Sequence, residues 1–312
     1  MSLMSGRKST RCEHFFLVVV LVLLLSACGS ALDGSAATPG NSIPVVAAEN
    51  FYGDIARQVG GSHVSVTSIL SDANVDPHEY ESNVQHATLI AKAKLVITNG
   101  GGYDSWMDKL LASTQSPNRI VLKGFDLATV KLSGNEHIWY SIENAQVIAR
   151  AIAERLKQLD AANAASYESN LHQFQLALEP VRQKISELQT TYANTPVALT
   201  EPVFMYQAAA LGLHVMTPSS FQQAIDEGND PSAKALAAAE TQMKQKRVNV
   251  LIYNQQKATP ITVRLRKTAQ AQHIPVVSVT ELMPSDKNYQ AWMFEQLVAL
   301  QQALSQSAHS GS

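Results

Sequence analysis

The sequence is poor in cysteine. Only two of the 312 residues are cysteines, Cys12 and Cys28, and both lie near the N-terminus. The remaining chain therefore has no thiol with which to form a disulfide or to bind a soft ion such as copper(I). Its fold must be stabilised by an apolar core, and any metal ion must be bound without cysteine sulfur.

Strong net charge and long apolar runs are also absent. The formal net charge is −2, which argues against nucleic acid or another strongly charged partner. Apart from residues 15–25, no apolar segment approaches the length needed to cross a membrane. Neither an H-E-x-x-H zinc motif nor a G-x-S-x-G nucleophile motif occurs, so the common hydrolase signatures are missing.

The N-terminus has the pattern of a signal peptide. Arg7, Lys8 and Arg11 precede an apolar run at 15–25, which is too short for a mature transmembrane helix. The run ends in Leu-Ser-Ala-Cys, which resembles the bacterial lipoprotein processing box, where the cysteine becomes a lipid-bearing N-terminus. The alternative is an ordinary signal with a chance cysteine.

We therefore predict a signal peptide over residues 1–28, with Cys28 as the lipidation site. Residues 29–42 are small and polar and predict a flexible tether. The mature protein would be extracytoplasmic, anchored by lipid to the outer face of the cell membrane and in the periplasmic or equivalent space.

The chain beyond the tether reads as two α/β lobes. About 270 residues remain there, enough for two units of ordinary size. In both halves short apolar runs alternate with helical patterns, which predicts parallel sheets. We expect a fold of two (β/α)4 lobes, at residues 43–141 and 194–312, joined by one long rigid helix in a helical linker at 142–193. Within the linker, a break is expected near Asp160.

Four side chains with metal-binding chemistry follow predicted strands. His78 and His137 come from the first half, and Glu201 and Glu281 from the second. Because ligands of open parallel sheets bind outside the carboxyl ends of strands, all four would point into the cleft between the lobes. Asn254 also ends a predicted strand and is a candidate to orient the ligands.

Each of the four residues has a simpler interpretation. His78 could be a surface-loop histidine, although Pro77 restricts its backbone, and His137 could be packed beneath neighbouring aromatic residues. Glu201 and Glu281 could be helix caps, each preceding a proline-containing segment. Only the joint placement of the four favours a common role.

Two imidazoles and two carboxylates that converge predict a divalent cation. The carboxylates would repel each other without an ion, and a cation accepts lone pairs from all four groups. The segment around His78 holds more acids than one ion needs, so Asp76 and Glu79 are predicted to orient His78 or the loop rather than bind the ion directly.

Several motifs resemble one known family. DPHEYE (76–81), NEHIW (135–139), TEPVF (200–204) and IPVVSVTELMP (274–284) are similar to segments of the metal-binding solute-binding lipoproteins of bacterial ABC importers, the zinc/manganese type known as cluster A-I. The resemblance runs from about Val45 to Leu304. It implies two lobes on a rigid helix, a metal site in the interlobe cleft, a permease partner in the cytoplasmic membrane, and a monomer that is not an enzyme.

The same resemblance implies the ligands. His78 and His137 match the family's two histidines, Glu201 stands where many members have a third histidine, and Glu281 stands at or beside the final acidic ligand. Two departures are evident. Residues 124–136 contain no histidine, so the histidine-rich loop of many zinc-type members is absent, and glutamate at position 201 makes the ligand set harder.

The transported ion is predicted to be Zn²⁺ or Mn²⁺, with Fe²⁺ as a further candidate. Two imidazoles are wrong for calcium or magnesium, whereas zinc accepts two nitrogens and two oxygens at about 2.0–2.2 Å. Carboxylates that turn bidentate would serve manganese equally well. A metal-dependent hydrolase and a metal-binding surface adhesin are the alternative functions.

Overall fold

The computed structural model describes residues 1–2, 42–72, 77, 80 and 83–310. Cys28, Asp76, His78 and Glu79 therefore lie outside the described residues, as does nearly all of the predicted signal peptide and tether. Within the described part of the chain, no helix has the length and apolar character needed to cross a membrane.

The first half forms a four-stranded parallel sheet. Its strands alternate with helices and are ordered β2-β1-β3-β4, with Val45 of β1 paired to both Val66 and Leu95. The strands are β1 (Ile43–Glu49), β2 (Val64–Leu70), β3 (Leu95–Thr98) and β4 (Ile120–Lys123), and the helices are α1 (Asn50–Gly60), α2 (Val84–Lys92), α3 (Ser105–Ser113) and α4 (Gly124–Leu127).

The second half repeats this arrangement. Its sheet has the order β6-β5-β7-β8, again wholly parallel, so the two lobes share one topology. The prediction of two parallel-sheet lobes is confirmed. The strands are β5 (Pro196–Leu199), β6 (His214–Val215), β7 (Val250–Asn254) and β8 (Val276–Val279), and the helices that follow the connecting segment are α8 (Met205–Ala210), α9 (Ser219–Asp226), α10 (Ala233–Lys244), α11 (Pro260–Ala271) and α12 (Tyr289–Ser310).

The connecting segment is helical, as predicted, with a break at Asp160, and its last two helical stretches meet at Leu178, which keeps a right-handed helical backbone (φ −82°, ψ −13°). Its helices are α5 (Ile142–Leu159), α6 (Ala164–Ala177) and α7 (Glu179–Tyr192). Asp160 leaves the helical conformation, with φ −149° and ψ 76°, and Pro180 lies in the first turn of α7, where its missing N–H costs nothing. Helix α6 packs against α1 and helix α7 against α12, so the segment contacts both lobes.

The central strands are apolar because both of their faces are covered by helices. All four residues of β3 are buried, as parallel sheets in α/β folds require. Helix α1 is amphipathic: Phe51, Ile55 and Val59 recur at intervals of four and are buried, whereas Arg57 is exposed. Burial of such residues removes apolar surface from water at about 25 cal/mol per Å².

The two lobes are joined by buried hydrogen bonds as well as by the linker. The side-chain amide of Asn50, at the start of α1, donates to the Met283 carbonyl (2.6 Å) and accepts from the Met283 amide (3.0 Å). Tyr289 of α12 donates to the Trp139 carbonyl at 2.6 Å. Because these groups are shielded from water, losing one partner would leave the other buried and unsatisfied, at a cost of about 1–3 kcal/mol.

Candidate metal centre

The described candidate residues all lie beyond the carboxyl ends of strands and are all buried. His137 precedes the 3₁₀ turn Ile138–Tyr140, Glu201 follows β5, Asn254 ends β7 and Glu281 follows β8. Their exposed fractions are 0% for His137 and Glu281 and 1% for Glu201 and Asn254. The structure therefore brings together every candidate that it describes.

Nε2 of His137 points at carboxylate oxygens. It lies 3.9 Å from Oε2 of Glu281 and 3.7 Å from Oδ1 of Asp226, a residue that the sequence analysis did not select. These separations exceed an ordinary hydrogen bond, for which N···O is about 2.7–3.2 Å. They leave space between the imidazole and the two carboxylates.

Asn135 determines the tautomer of His137. Its Oδ1 accepts the backbone N–H of His137 at 2.9 Å and faces Nδ1 of the same residue at 3.1 Å. The amide orientation is fixed independently, because Nδ2 donates to the Pro202 carbonyl at 2.8 Å. Nδ1 therefore donates to Asn135, and Nε2 is the ring nitrogen that faces the carboxylates and is placed to bind a metal ion once it is free of its proton.

Asn254 links the two glutamates. Its side-chain amide donates to Oε1 of Glu281 at 2.7 Å and to Oε1 of Glu201. Glu201 makes no side-chain cap hydrogen bond to the turn that follows it, so the capping interpretation does not describe its side chain. Within the described part of the chain, Oε2 of Glu201 is buried and has no hydrogen-bond partner.

The electrostatic environment of Glu201 favours a positive charge close to its carboxylate. Burial raises the pKa of Glu201 well above its usual range, and the charges of Glu281 and Asp226 raise it further. The hydrogen bond from Asn254 and the charge of Lys257 lower this pKa by smaller amounts. A cation at this point would offset the repulsion among the carboxylates, whereas in its absence protons must do so.

Tyr103 connects the first lobe to Glu281. Its hydroxyl donates to Oε2 of Glu281 at 3.0 Å, and burial together with the Glu281 charge raises the pKa of Tyr103, so the hydroxyl remains a donor.

The backbone before Tyr103 is a turn of three glycines, Gly100, Gly101 and Gly102, at φ 73°, 68° and 103°, a conformation that other residues rarely adopt. A Cβ on Gly101 would lie 2.6 Å from the Phe125 ring.

The loop that carries Glu281 is held from both lobes. Oε1 of Gln256 accepts the backbone N–H groups of Glu281 (2.5 Å) and Leu282 (2.9 Å). Asn50 of the first lobe binds the next residue, Met283, as described above. The carboxylate is thus positioned by fixed backbone contacts rather than by its own rotamer alone.

Asp226 is the residue that sequence reasoning missed. It ends α9, its side chain is 8% exposed, and with Glu136 and His137 it forms a group whose candidate ligand atoms lie within 4.8 Å of one another. A signal was present in the sequence: Phe221, Gln222 and Ile225 form the buried face of α9, and Asp226 continues that face. A carboxylate on a buried helix face is rarely there without a partner.

The fold has two parallel-sheet lobes, and nitrogen and oxygen side-chain atoms from both lobes meet between them. The family model of the zinc-uptake complex component A, periplasmic (ZnuA), matches residues 45–303. The chain belongs to this family, whose members are substrate-binding proteins of ABC transporters and not enzymes.

Curated relatives carry matching descriptions. The chain is 26% identical over 247 residues to the metal ABC transporter substrate-binding lipoprotein ScbA of Streptococcus cristatus, covering 72% of this chain and 77% of the relative. It is 26% identical over 250 residues to the manganese ABC transporter substrate-binding lipoprotein PsaA of Streptococcus mitis, covering 73% and 78%.

Solved structures support the fold. The periplasmic zinc binding protein TroA from Treponema pallidum superimposes with a TM-score of 0.71 at 16% identity, over 84% of this chain and 99% of that one. The substrate-binding protein FpvC from Pseudomonas aeruginosa, in complex with Mn²⁺, gives 0.70 at 20% identity, over 85% and 99%.

Proposed function

We propose that this protein captures a divalent transition-metal ion, Zn²⁺ or Mn²⁺ with Fe²⁺ as a further candidate, at high affinity outside the cytoplasm. It then delivers the ion to the permease of an ABC importer. The observation that carries the proposal is the buried convergence of one imidazole and the carboxylates of Glu201 and Glu281, with Nε2 of His137 only 3.9 Å from Oε2 of Glu281.

The proposed ligands are His78, His137, Glu201 and Glu281. Asn254 would hold the two glutamates in register through its two donated hydrogen bonds, and Asp76 and Glu79 would orient the loop of His78. A ligand set of this kind leaves no open coordination position of the sort that catalytic zinc uses to activate water. Capture therefore fits the arrangement better than hydrolysis.

The proposed binding step is a small rearrangement. The lobes are already tied by buried contacts such as Asn50 to Met283, so the ion needs only local movement of ligand loops rather than a wide hinge closure. Because imidazole and carboxylate ligands must be free of protons, binding should release protons and weaken as the pH falls through the histidine range near about 6.5.

We further propose a monomer attached to the outer face of the cell membrane through lipid on Cys28. The relatives ScbA and PsaA are described as lipoproteins of ABC transporters, in agreement with the Leu-Ser-Ala-Cys segment. Replacing Cys28 by Ala should move the protein from the membrane fraction to the soluble fraction of cells labelled with a fatty-acid probe. Retention in the membrane with undiminished label would contradict the anchor.

The metal proposal is tested on protein purified without chelator from a medium containing zinc, manganese and iron. We expect about one transition-metal ion per chain by elemental analysis, and competition titrations should rank the ions. His137→Ala should lower affinity about 100-fold or more, whereas His172→Ala, an exposed position on α6, should leave it unchanged. A metal-free wild type with an organic molecule bound would refute the proposal.

A further inference from the structure

Asp226 occupies a position from which it can reach the same ion as His137. It ends α9 of the second lobe and is almost fully buried, with its Oδ1 3.7 Å from Nε2 of His137. Glu281 approaches the same nitrogen at 3.9 Å. The two carboxylates therefore meet one imidazole nitrogen, one arriving from a helix end and the other from a loop after β8.

The separation between Asp226 and His137 fits a shared ion. Metal–ligand bonds to nitrogen and oxygen are about 2.0–2.2 Å, so two donors 3.7 Å apart would subtend an angle of roughly 115–135° at the ion. Since Asn135 directs the Nδ1 proton away from the cluster, Nε2 offers a lone pair to that ion. An imidazole lone pair and a carboxylate that face each other need a cation or a proton between them.

Glu201 supplies an independent observation at the same point. Its Oε2 is buried and lacks a hydrogen-bond partner among the described residues, and the charges of both Glu281 and Asp226 act on it. Two carboxylates thus face the imidazole nitrogen, and a third, from a different element, lies within electrostatic reach of both. Lys257, which is 6% exposed, lowers the pKa of Glu201 through its positive charge, but by less than burial and the two neighbouring carboxylates raise it.

We propose that Asp226 is an additional carboxylate ligand of the transported ion and that it shifts the site towards manganese or iron(II) and away from zinc. This inference rests on the proposed function. With His137, the three carboxylates, each able to bind through one or two oxygens, offer more donor atoms than the four that tetrahedral zinc uses, and hard oxygen donors suit Mn²⁺ in higher coordination. The site would still bind Zn²⁺ more tightly than Mn²⁺. Asp226 would reduce the difference between the two affinities.

The test compares Asp226→Asn with Glu227→Gln, its exposed neighbour. Zn²⁺ and Mn²⁺ affinities are measured by competition for each variant, and circular dichroism verifies that each is folded. For Asp226→Asn we expect Mn²⁺ affinity to fall about tenfold or more and Zn²⁺ affinity to fall about threefold or less. Glu227→Gln should reproduce the wild type for both ions.

A second measurement reports coordination directly. Cobalt(II) absorbs strongly in the visible when it is tetrahedral and weakly when it has five or six ligands. The Co²⁺-loaded wild type should absorb weakly, and Asp226→Asn should absorb more strongly. Unchanged affinities, an equal loss for both ions, or an identical cobalt spectrum would each overturn the role of Asp226. If the wild type binds no transition metal, the proposed function itself fails, which is a different result.

Discussion

The two lobes have the same strand order, yet they carry different chemistry. In both, the central first strand leads into a buried glutamate: Glu49 ends β1, and Glu201 lies two residues beyond β5. Glu201 accepts from Asn254 and lies among the candidate ligands, whereas both carboxyl oxygens of Glu49 lack a hydrogen-bond partner within the described part of the chain. Equivalent positions in a repeated topology therefore need not share a role.

The two lobes also contribute different side chains to the rest of the site. Among the described residues, the first lobe supplies the imidazole of His137, the hydroxyl of Tyr103 and the carboxylate of Glu136, and the second lobe supplies Glu201, Asp226 and Glu281. The carboxylates of the second lobe repel one another, and a cation held jointly with the first lobe would offset that repulsion in place of protons. The ion is thus expected to be the main electrostatic link between the lobes.

The largest effect should come from removing a carboxylate of the second lobe. Glu281→Ala is expected to lower the affinity for Zn²⁺ and Mn²⁺ about 100-fold or more, because it removes a proposed ligand and the acceptor of both Tyr103 and Asn254. Titration calorimetry with a competing chelator measures the loss. Glu227→Gln is the matched surface control, and wild-type affinity in Glu281→Ala would show that the ion is bound elsewhere.

Removing the residue that orients the His137 imidazole should have an intermediate effect on metal affinity. Asn135→Ala removes the acceptor that fixes the His137 tautomer, so metal affinity should fall about 10- to 100-fold. Asn135→Asp keeps an acceptor at the same place and should recover part of that loss. Equal affinities for the two variants, measured by competition with one chelator, would mean that Asn135 acts only on folding.

Proton release should distinguish Glu201 from an ordinary surface glutamate. Its pKa is raised in the ion-free protein by burial and by neighbouring carboxylates, so it keeps its proton to a higher pH than usual, and an ion must displace that proton. Calorimetry in buffers of different ionisation enthalpy should therefore give fewer released protons for Glu201→Gln than for wild type. Affinity should also decline as the pH is lowered. The same proton count in both proteins would contradict this assignment.

The smallest expected effect is a change in thermal stability on substitution of Glu49, the first-lobe counterpart of Glu201. Burial, and then the charge of Asp104, raise the pKa of Glu49. A carboxyl with a higher pKa in the folded state stabilises the fold while it is protonated, and this contribution is lost as the pH rises towards the folded value. Glu49→Gln keeps the neutral form at every pH, so its Tm relative to wild type should increase as the pH is raised above the ordinary glutamate pKa of about 4.3. A constant difference would argue that Glu49 is not a buried acid.

Much of the fold was predictable because the signals are local. The runs at 64–70 and 50–60 have the apolar spacing of a strand and a helix, and the structure gives those bounds for β2 and α1. Likewise, Glu201, Asn254 and Glu281 stand at the last residue of a strand or two residues beyond it, and parallel sheets gather these ends at one edge. The interruptions of the linker are also marked locally, since Asp160 leaves the helical conformation and Pro180 lies in the first turn of α7.

The sequence by itself determined the alternation of strands and helices, the two-lobe organisation and the residues that stand at strand ends, because each depends on the spacing of neighbouring residues. Only the tertiary structure decided that Asp226 lies beside His137 and that Asn135 orients the imidazole. It also decided that Asn50 hydrogen-bonds to Met283, 233 positions away in the sequence. Such contacts depend on how helices and loops pack around a sheet, and no periodicity along the chain encodes which distant side chains will share one buried space.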